Sequence, residues 1–431
     1  MRKFLIFSKD VQRDSFIWNM FGSMLTAFQS VIFLMVLTRT VGLIEAGIFT
    51  IAYANANLFL TIGKYGMRYF HVSDVKREFS FADYQMSRWI TTAAMMITAV
   101  VYVVYTASHQ NYSPDKAMVI IWMCIFKIPD VIEDVYYGEY QREGRLDIAS
   151  KVMTVRVFTT MLVYLTVLML CKSQLVALII STIYTFAVMI MLLKETVGLF
   201  AICRLRKSAN VKLLLKQCFP LFAGSFLAFY IGNAPKYAID ALLTDELQAC
   251  YGFIAMPVFV IGLLNGFIFN PMLYRITCVW EERRLGEFTR QILLQIFYIV
   301  LITGICMIGA YLIGIPVLSF LYHTDLTPYK KELLILLLGG GFLGASGLLN
   351  AAITIMRKQR ALLWGYLVVA VGALFLSKVS VKMWGMLGAS ILYMVLMLGL
   401  CICFAVILIK GLFEAKKCKS NDKESFNIEK R

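Results

Sequence analysis

Three polar residues, Asn233, Lys236 and Asp240, interrupt the apolar run FPLFAGSFLAFYIGNAPKYAIDALL. Their i, i+3, i+7 spacing puts all three on one stripe of a helix. Pro235, set among them, removes a backbone hydrogen bond and is expected to kink the helix. A second run, MVIIWMCIFKIPDVIEDVYY, carries Lys127 with Pro129 and Asp130. An ionisable group near the centre of a bilayer costs about 2.5–3.5 kcal/mol on insertion scales, so it faces a partner or a wet cavity. Lys236, in the outer third of its run, has two options: it snorkels and pairs with Asp240, or it faces a cavity beside Asn233. Lys127 lies at mid-run, where snorkelling is harder, and is expected to face a cavity. Asp130 then either neutralises it or accepts a coupling proton. Asn55 and Asn57 are deep in an earlier run, with Lys64 at its inner end; a buried amide needs a partner, which helix packing supplies as readily as a ligand does. Glu133 and Asp134 are expected at the membrane interface, and Arg156 is expected to snorkel.

These roles require a membrane, and composition provides one. Hydrophobic residues make up 60% of the 431, and charged residues only 16%. A soluble domain carries about 25% charged and about 45–50% apolar residues. The mean hydropathy is +0.74. A net charge of +16 would suggest nucleic acid in a soluble protein, but here it reflects cations kept on the cytoplasmic side, and no nucleic-acid partner is expected.

Apolar runs long enough for a hydrocarbon core of about 30 Å recur along the chain. They fall near 16–38, 46–66, 88–107, 117–136, 153–171, 175–193, 219–242, 251–274, 291–315, 332–355, 361–378 and 384–409, which predicts an all-α polytopic protein of about 12 spans. With the first residues placed in the cytoplasm, even loops and both ends hold about 32 of the 42 lysines and arginines, and odd loops about 8. Orientation follows such counts in short loops, so both ends are expected in the cytoplasm. The basic, aromatic connections near 67–87 and 194–218 are expected on the anionic inner leaflet. A weak repeat relates GSMLTAF at Gly22 to GSFLAFY at Gly224, and AGIFTIA at Ala46 to YGFIA at Tyr251, with offsets of about 202 and 205 residues. It divides the chain into six-helix halves, 1–207 and 208–415, followed by a polar tail, 416–431, expected to be disordered.

Catalytic signals are missing from the sequence. The run GGGFLGASG from Gly339 has no Lys-Ser/Thr and lies in an apolar span, so it suits close helix packing or a kink, not a phosphate loop. His71, His109 and His323 are isolated, and no nucleophile elbow or HExxH occurs. The ten cysteines, the closest pair being Cys401 and Cys403, have no metal spacing and are read as apolar packing residues. No enzyme activity, cofactor or metal is expected, and no cleaved signal peptide.

LTRTVGLIEAGIFTIAYANANLFLTIGKYGMRYFHVSD, YYGEYQREGRLDIASK and YIGNAPKYAIDALLTDELQACYGFIAMPVFVIGLLNGFIFNPML resemble bacterial polysaccharide-transport proteins. These form the Wzx-like oligosaccharide-lipid flippase branch of the multidrug/oligosaccharidyl-lipid/polysaccharide exporter superfamily. The resemblance implies two six-helix bundles around a central cavity that opens alternately to each side of a bacterial cytoplasmic membrane. It implies a substrate of undecaprenyl-diphosphate-linked oligosaccharide, moved from the inner to the outer leaflet for surface polysaccharide. Membrane lipids and polysaccharide polymerase and assembly proteins are the partners it implies. Under it, Lys236 and Asn233 contact phosphate or sugar near the outer exit, and Lys127 is a mid-path contact. A multidrug antiporter of the same superfamily is the alternative, but it favours an acidic, aromatic cavity. The peptidoglycan-precursor flippases normally carry fourteen spans, and a membrane polymerase or glycosyltransferase needs an outer acidic motif that the short outer loops lack.

Overall fold

The computed structural model describes residues 2–74, 77–110, 112–200 and 210–428, with side chains left aside at 110, 263–271, 273, 274 and 418–428. The protein is all-helical, and no strand occurs among the described residues. The helices are α1 (Arg2–Ile6), α2 (Val11–Thr40), α3 (Leu43–Lys64), α4 (Met67–Ser73), α5 (Phe81–Gln110), α6 (Pro114–Phe126), α7 (Ile128–Arg142) and α8 (Leu146–Cys171). They continue as α9 (Gln174–Val197), α10 (Val211–Leu242), α11 (Asp245–Glu281), α12 (Leu285–Gly309), α13 (Ile315–Tyr322), α14 (Lys330–Ile355) and α15 (Gln359–Ile428).

Among the described residues, nine helical stretches are long and apolar enough to cross a membrane. The ninth contains non-helical backbone at Gly385 (φ 55°), so it is two spans joined at a break. The broken pair α6–α7 and the long α11 occupy the other two expected positions. The close expected pair of spans at 153–171 and 175–193 is separate: Lys172 takes a left-handed conformation (φ 49°) after α8, and Ser173 caps α9. The expected tail falls largely on residues whose side chains lie outside the description.

Two elements depart from the expected pattern, each for a local reason. The span expected at 117–136 is two helices, because Pro129 has no N–H for the carbonyl four residues back and its ring crowds that turn. Lys127 sits at the junction with φ −87° and ψ −8°. The connection near 67–87 is also more ordered than a loop. It contains α4, and α5 starts at Phe81, where Ser80 and Asp83 cap each other: Ser80 N and Oγ donate to Asp83 Oδ2 at 3.0 and 2.6 Å.

Tertiary contacts divide the chain into two compact units. The first comprises Met1–Phe229 with Thr244–Ala249, the second Tyr230–Leu243 with Cys250–Arg431. In the first unit α3 is the central helix, buried along most of its length and packed on α5, α6 and α2. Small residues permit this. A Cβ on Gly63 would lie 2.7 Å from Val131 Cγ2, and one on Gly47 would lie 1.8 Å from the Asp245 carbonyl oxygen. In the second unit α14 packs on α12 and α15. The glycine run behaves as close packing: Cβ atoms on Gly339 and Gly341 would lie 2.7 Å from Tyr393 and Thr303 side chains.

Candidate functional site

The break at Lys127 exposes the start of α7, and its polar residues at i, i+3 and i+7 (Asp130, Glu133 and Tyr137) point along one stripe. Arg156, on α8, meets that stripe. Its Nη2 donates to Asp130 Oδ1 at 2.5 Å, and its Nε to Glu133 Oε2 at 2.7 Å. The Tyr137 hydroxyl donates to the same Glu133 oxygen at 2.6 Å. Lys127 is 2% exposed, with Nζ 3.5 Å from Asp130 Oδ2 and 4.7 Å from the centre of the Tyr53 ring. Two cations and two carboxylates are thus buried together, and mutual pairing offsets the cost of taking each from water. Arg156 therefore does not snorkel, and Glu133, expected at the interface, is 0% exposed and enclosed by protein. Each was read from its depth along its own helix, but the partner comes from a neighbouring helix.

One to two turns further along α7 the wall changes character. A cavity of about 690 Å³ is lined by the last turns of α3, by α4 and α7, and by Asn19, Ser225 and Phe229. Pockets that hold small ligands span about 300–1,000 Å³. Its polar lining includes Lys64, Arg68, Asn57, Asp134 and Gln141. The chain turns sharply there because Tyr65 and Gly66 are both left-handed (φ 49° and 64°), which separates Lys64 on α3 from Arg68 on α4. Asp134, also read as interfacial, is 5% exposed and already engaged. Arg88 Nη2 donates to its Oδ2 at 2.7 Å, and Arg68 Nη1 lies 3.9 Å from its Oδ1. Arg68 also donates to Gln141 Oε1 at 3.1 Å, and Arg88 to the Gly63 carbonyl at 2.8 Å. Lys64 forms no ion pair among the described residues. The cavity is therefore cationic: its described lining includes one carboxylate, held by two arginines, and one lysine with no carboxylate in close ion-pair contact among the described residues.

The residues singled out from sequence separate into three places. Lys64 lies on the cavity wall. Lys127 and Asp130 are together, in the buried cluster and not among the cavity-lining residues. Asn55 is 1% exposed, and neither side-chain amide atom has a hydrogen-bond partner among the described residues. Asn233, Lys236 and Asp240 belong to the second unit, on α10, which remains helical through Pro235. Lys236 is partly buried, and no ion pair joins it to Asp240. Sequence reasoning missed Arg88, which it counted only as a loop charge, and took Arg68 only as marking, with Lys64, the inner end of its span. The available signal was Lys64 and Arg68 four residues apart beside a Tyr-Gly turn.

No family model matches the chain, and no curated protein matches it. Solved structures do share its fold. A multidrug resistance MATE family transporter of the MOP superfamily, in an inward-facing conformation, is similar at a TM-score of 0.66 and 12% identity, over 91% of this chain and 96% of that one. The lipid II flippase MurJ, in an inward closed conformation, is similar at 0.65 and 13%, over 93% and 92%. A MOP superfamily transporter from Pyrococcus furiosus, described by a reversed polarity of its binding pocket, is similar at 0.58 and 13%, over 97% and 98%.

Proposed function

We propose that this protein is a flippase of the oligosaccharide-lipid branch, carrying undecaprenyl-diphosphate-linked repeat units from the inner to the outer leaflet of a bacterial cytoplasmic membrane by alternating access. The observation that carries the reading is Lys64, without an ion-pair partner among the described residues, on the wall of a cavity whose carboxylate, Asp134, is held by Arg88 and Arg68. A diphosphate cannot cross hydrocarbon alone. It needs a wet path with cations that form charge-assisted hydrogen bonds to its oxygens, while the polyprenyl tail stays in lipid. Lys64 and Arg68 offer such bonds in the first unit. In the second unit, Lys236 and Asn233 are assigned to phosphate or sugar contact. A lipid II flippase has the same fold, so the fold is compatible with a lipid-linked substrate.

The multidrug reading has the fold in its favour, because MATE family transporters share it. An organic cation, however, needs an available carboxylate, and Asp134 is already engaged. The deciding experiment is deletion of the gene followed by lipid analysis. Undecaprenyl-diphosphate oligosaccharide is expected to accumulate on the cytoplasmic side while surface polysaccharide is lost. Unchanged polysaccharide with new drug sensitivity would establish the multidrug reading instead. Surface polysaccharide would also require polymerase and assembly proteins as working partners.

A further inference from the structure

A second basic cavity lies at the ends of two membrane helices, apart from the one assigned to transport. It has a volume of about 440 Å³ and is walled by Arg2, Lys3, Ile6, Phe7 and Arg145, with Val11 at the start of α2. No carboxylate is among its described lining residues, whereas three cations are. Its wall is anchored by hydrogen bonds to the backbone at the end of α1 and just beyond it. Arg145 Nη2 donates to the Ile6 carbonyl at 2.7 Å while Arg145 is held by Asp147. Lys151 Nζ donates to the Phe7 carbonyl at 3.1 Å. Lys3 has no ion-pair partner among the described residues, and the Arg2–Glu195 pair is loose at 4.0 Å.

Apolar surface continues from the cations. Phe7 is 67% exposed, and Phe16, Ile17, Met20 and Phe21 are all exposed on α2. Those four residues fall on one face of the helix, as acyl chains beside a headgroup require. Phe4 packs edge-on against Trp18 with ring centres 5.4 Å apart, tying α1 to the same helix.

We infer that the cavity bounded by Arg2, Lys3 and Arg145 binds the phosphate headgroup of an anionic phospholipid, whose acyl chains lie along the exposed face of α2. Basic pockets at the membrane surface recognise such headgroups, with each nearby lysine or arginine strengthening attraction to an anionic leaflet. The bound lipid would dock α1 against α2 and α8, a role separate from moving the transported lipid. The assignment therefore stands or falls apart from the transport reading.

The test uses the purified full chain in neutral detergent, titrated with cardiolipin or with zwitterionic phosphatidylcholine. Native mass spectrometry gives the affinity, and thermal unfolding gives the stabilisation. Cardiolipin is expected to be retained and to raise the unfolding midpoint, while phosphatidylcholine does neither. Arg2→Gln with Lys3→Gln should weaken cardiolipin binding by about tenfold or more, from the loss of two cations. Lys9→Gln with Arg13→Gln removes the same charge from exposed positions outside the cavity and should leave the affinity within about threefold. Phe7→Ser keeps the cations and should still weaken cardiolipin binding. Equal weakening by the two charge pairs, or equal retention of phosphatidylcholine, would overturn the site. Stabilisation by inorganic phosphate alone, unaffected by Phe7→Ser, would overturn its assignment to a lipid.

Discussion

Arg88 on α5 and Asp134 on α7 meet at 2.7 Å with both side chains almost fully buried, 4% and 7% exposed. The same guanidinium bonds the Gly63 carbonyl on α3. One side chain thus ties together three helices, and it also masks the carboxylate that faces the cavity. Arg88→Ala leaves Asp134, whose side chain is 7% exposed, without its closest cation. Removing one partner of a buried pair costs about 3–5 kcal/mol. A large fall in the detergent unfolding midpoint is expected. Arg88→Met with Asp134→Leu should recover most of it, since replacing both partners is often nearly neutral. A single variant as stable as wild type would show that the pair does not hold the fold.

Lys64 makes no such close pair; its charge acts on Asp130 of the buried cluster only at longer range. Lys64→Ala should change membrane yield and unfolding midpoint far less than Arg88→Ala, because only a longer-range attraction to Asp130 is lost and no close ion pair is broken among the described residues. Charged hydrogen bonds contribute about 1.5–3 kcal/mol, so apparent affinity for an anionic lipid-linked substrate should fall roughly ten- to hundredfold. Lys64→Arg keeps the charge and changes the geometry, so it should keep partial transport. Wild-type transport by Lys64→Ala, measured by restored surface polysaccharide in the deletion strain, would remove this cavity from the path.

Gly47 makes a prediction about packing alone. A Cβ there would lie 1.8 Å from the carbonyl oxygen of Asp245, whose carboxylate accepts from Lys116 Nζ at 2.6 Å. Backbone cannot yield as a flexible side chain does, so Gly47→Ala should destabilise strongly despite alanine's higher helix propensity. Gly304 is the control: a Cβ there meets nothing within 4 Å. Gly304→Ala should be neutral or stabilise by up to about 1 kcal/mol, the propensity difference between the two residues. Unfolding midpoints of the two variants that move together would refute the close approach.

The helices were legible because hydropathy acts along the chain, and the span positions needed no tertiary knowledge. Even the break at Lys127 was half visible, since Pro129 announces a lost backbone bond. The charge cluster was harder to read. Arg156 sits near the end of a run and looks like a snorkelling residue. Only the packing of α8 on α7 reveals that Asp130 and Glu133 are waiting for it. Arg88 presents the same problem: its carboxylate partner is 46 residues away. Sequence depth tells how costly a charge is, but not which neighbouring helix offsets the cost. Lys64 was singled out from sequence together with Asn55 and Asn57, and of the three the structure places Lys64 and Asn57 on the cavity wall.

Lys236 separates the two readings with which the sequence began. In the first, it snorkels and neutralises Asp240, so Lys236→Ala should strand a carboxylate and lower the amount of protein in the membrane. In the second, it contacts an anionic substrate, so the same change should abolish transport at normal abundance. The structure forms no ion pair between the two residues, although they lie one turn apart on α10. Lys236→Ala is therefore expected to reach wild-type abundance with surface polysaccharide lost, and Lys236→Arg to retain part of it. The double change Lys236→Ala with Asp240→Ala supplies the sharper measurement. Removing both members of a true pair is often nearly neutral, so recovery of transport in the double variant would return Lys236 to a structural role. Abundance without transport in both variants keeps it on the substrate path.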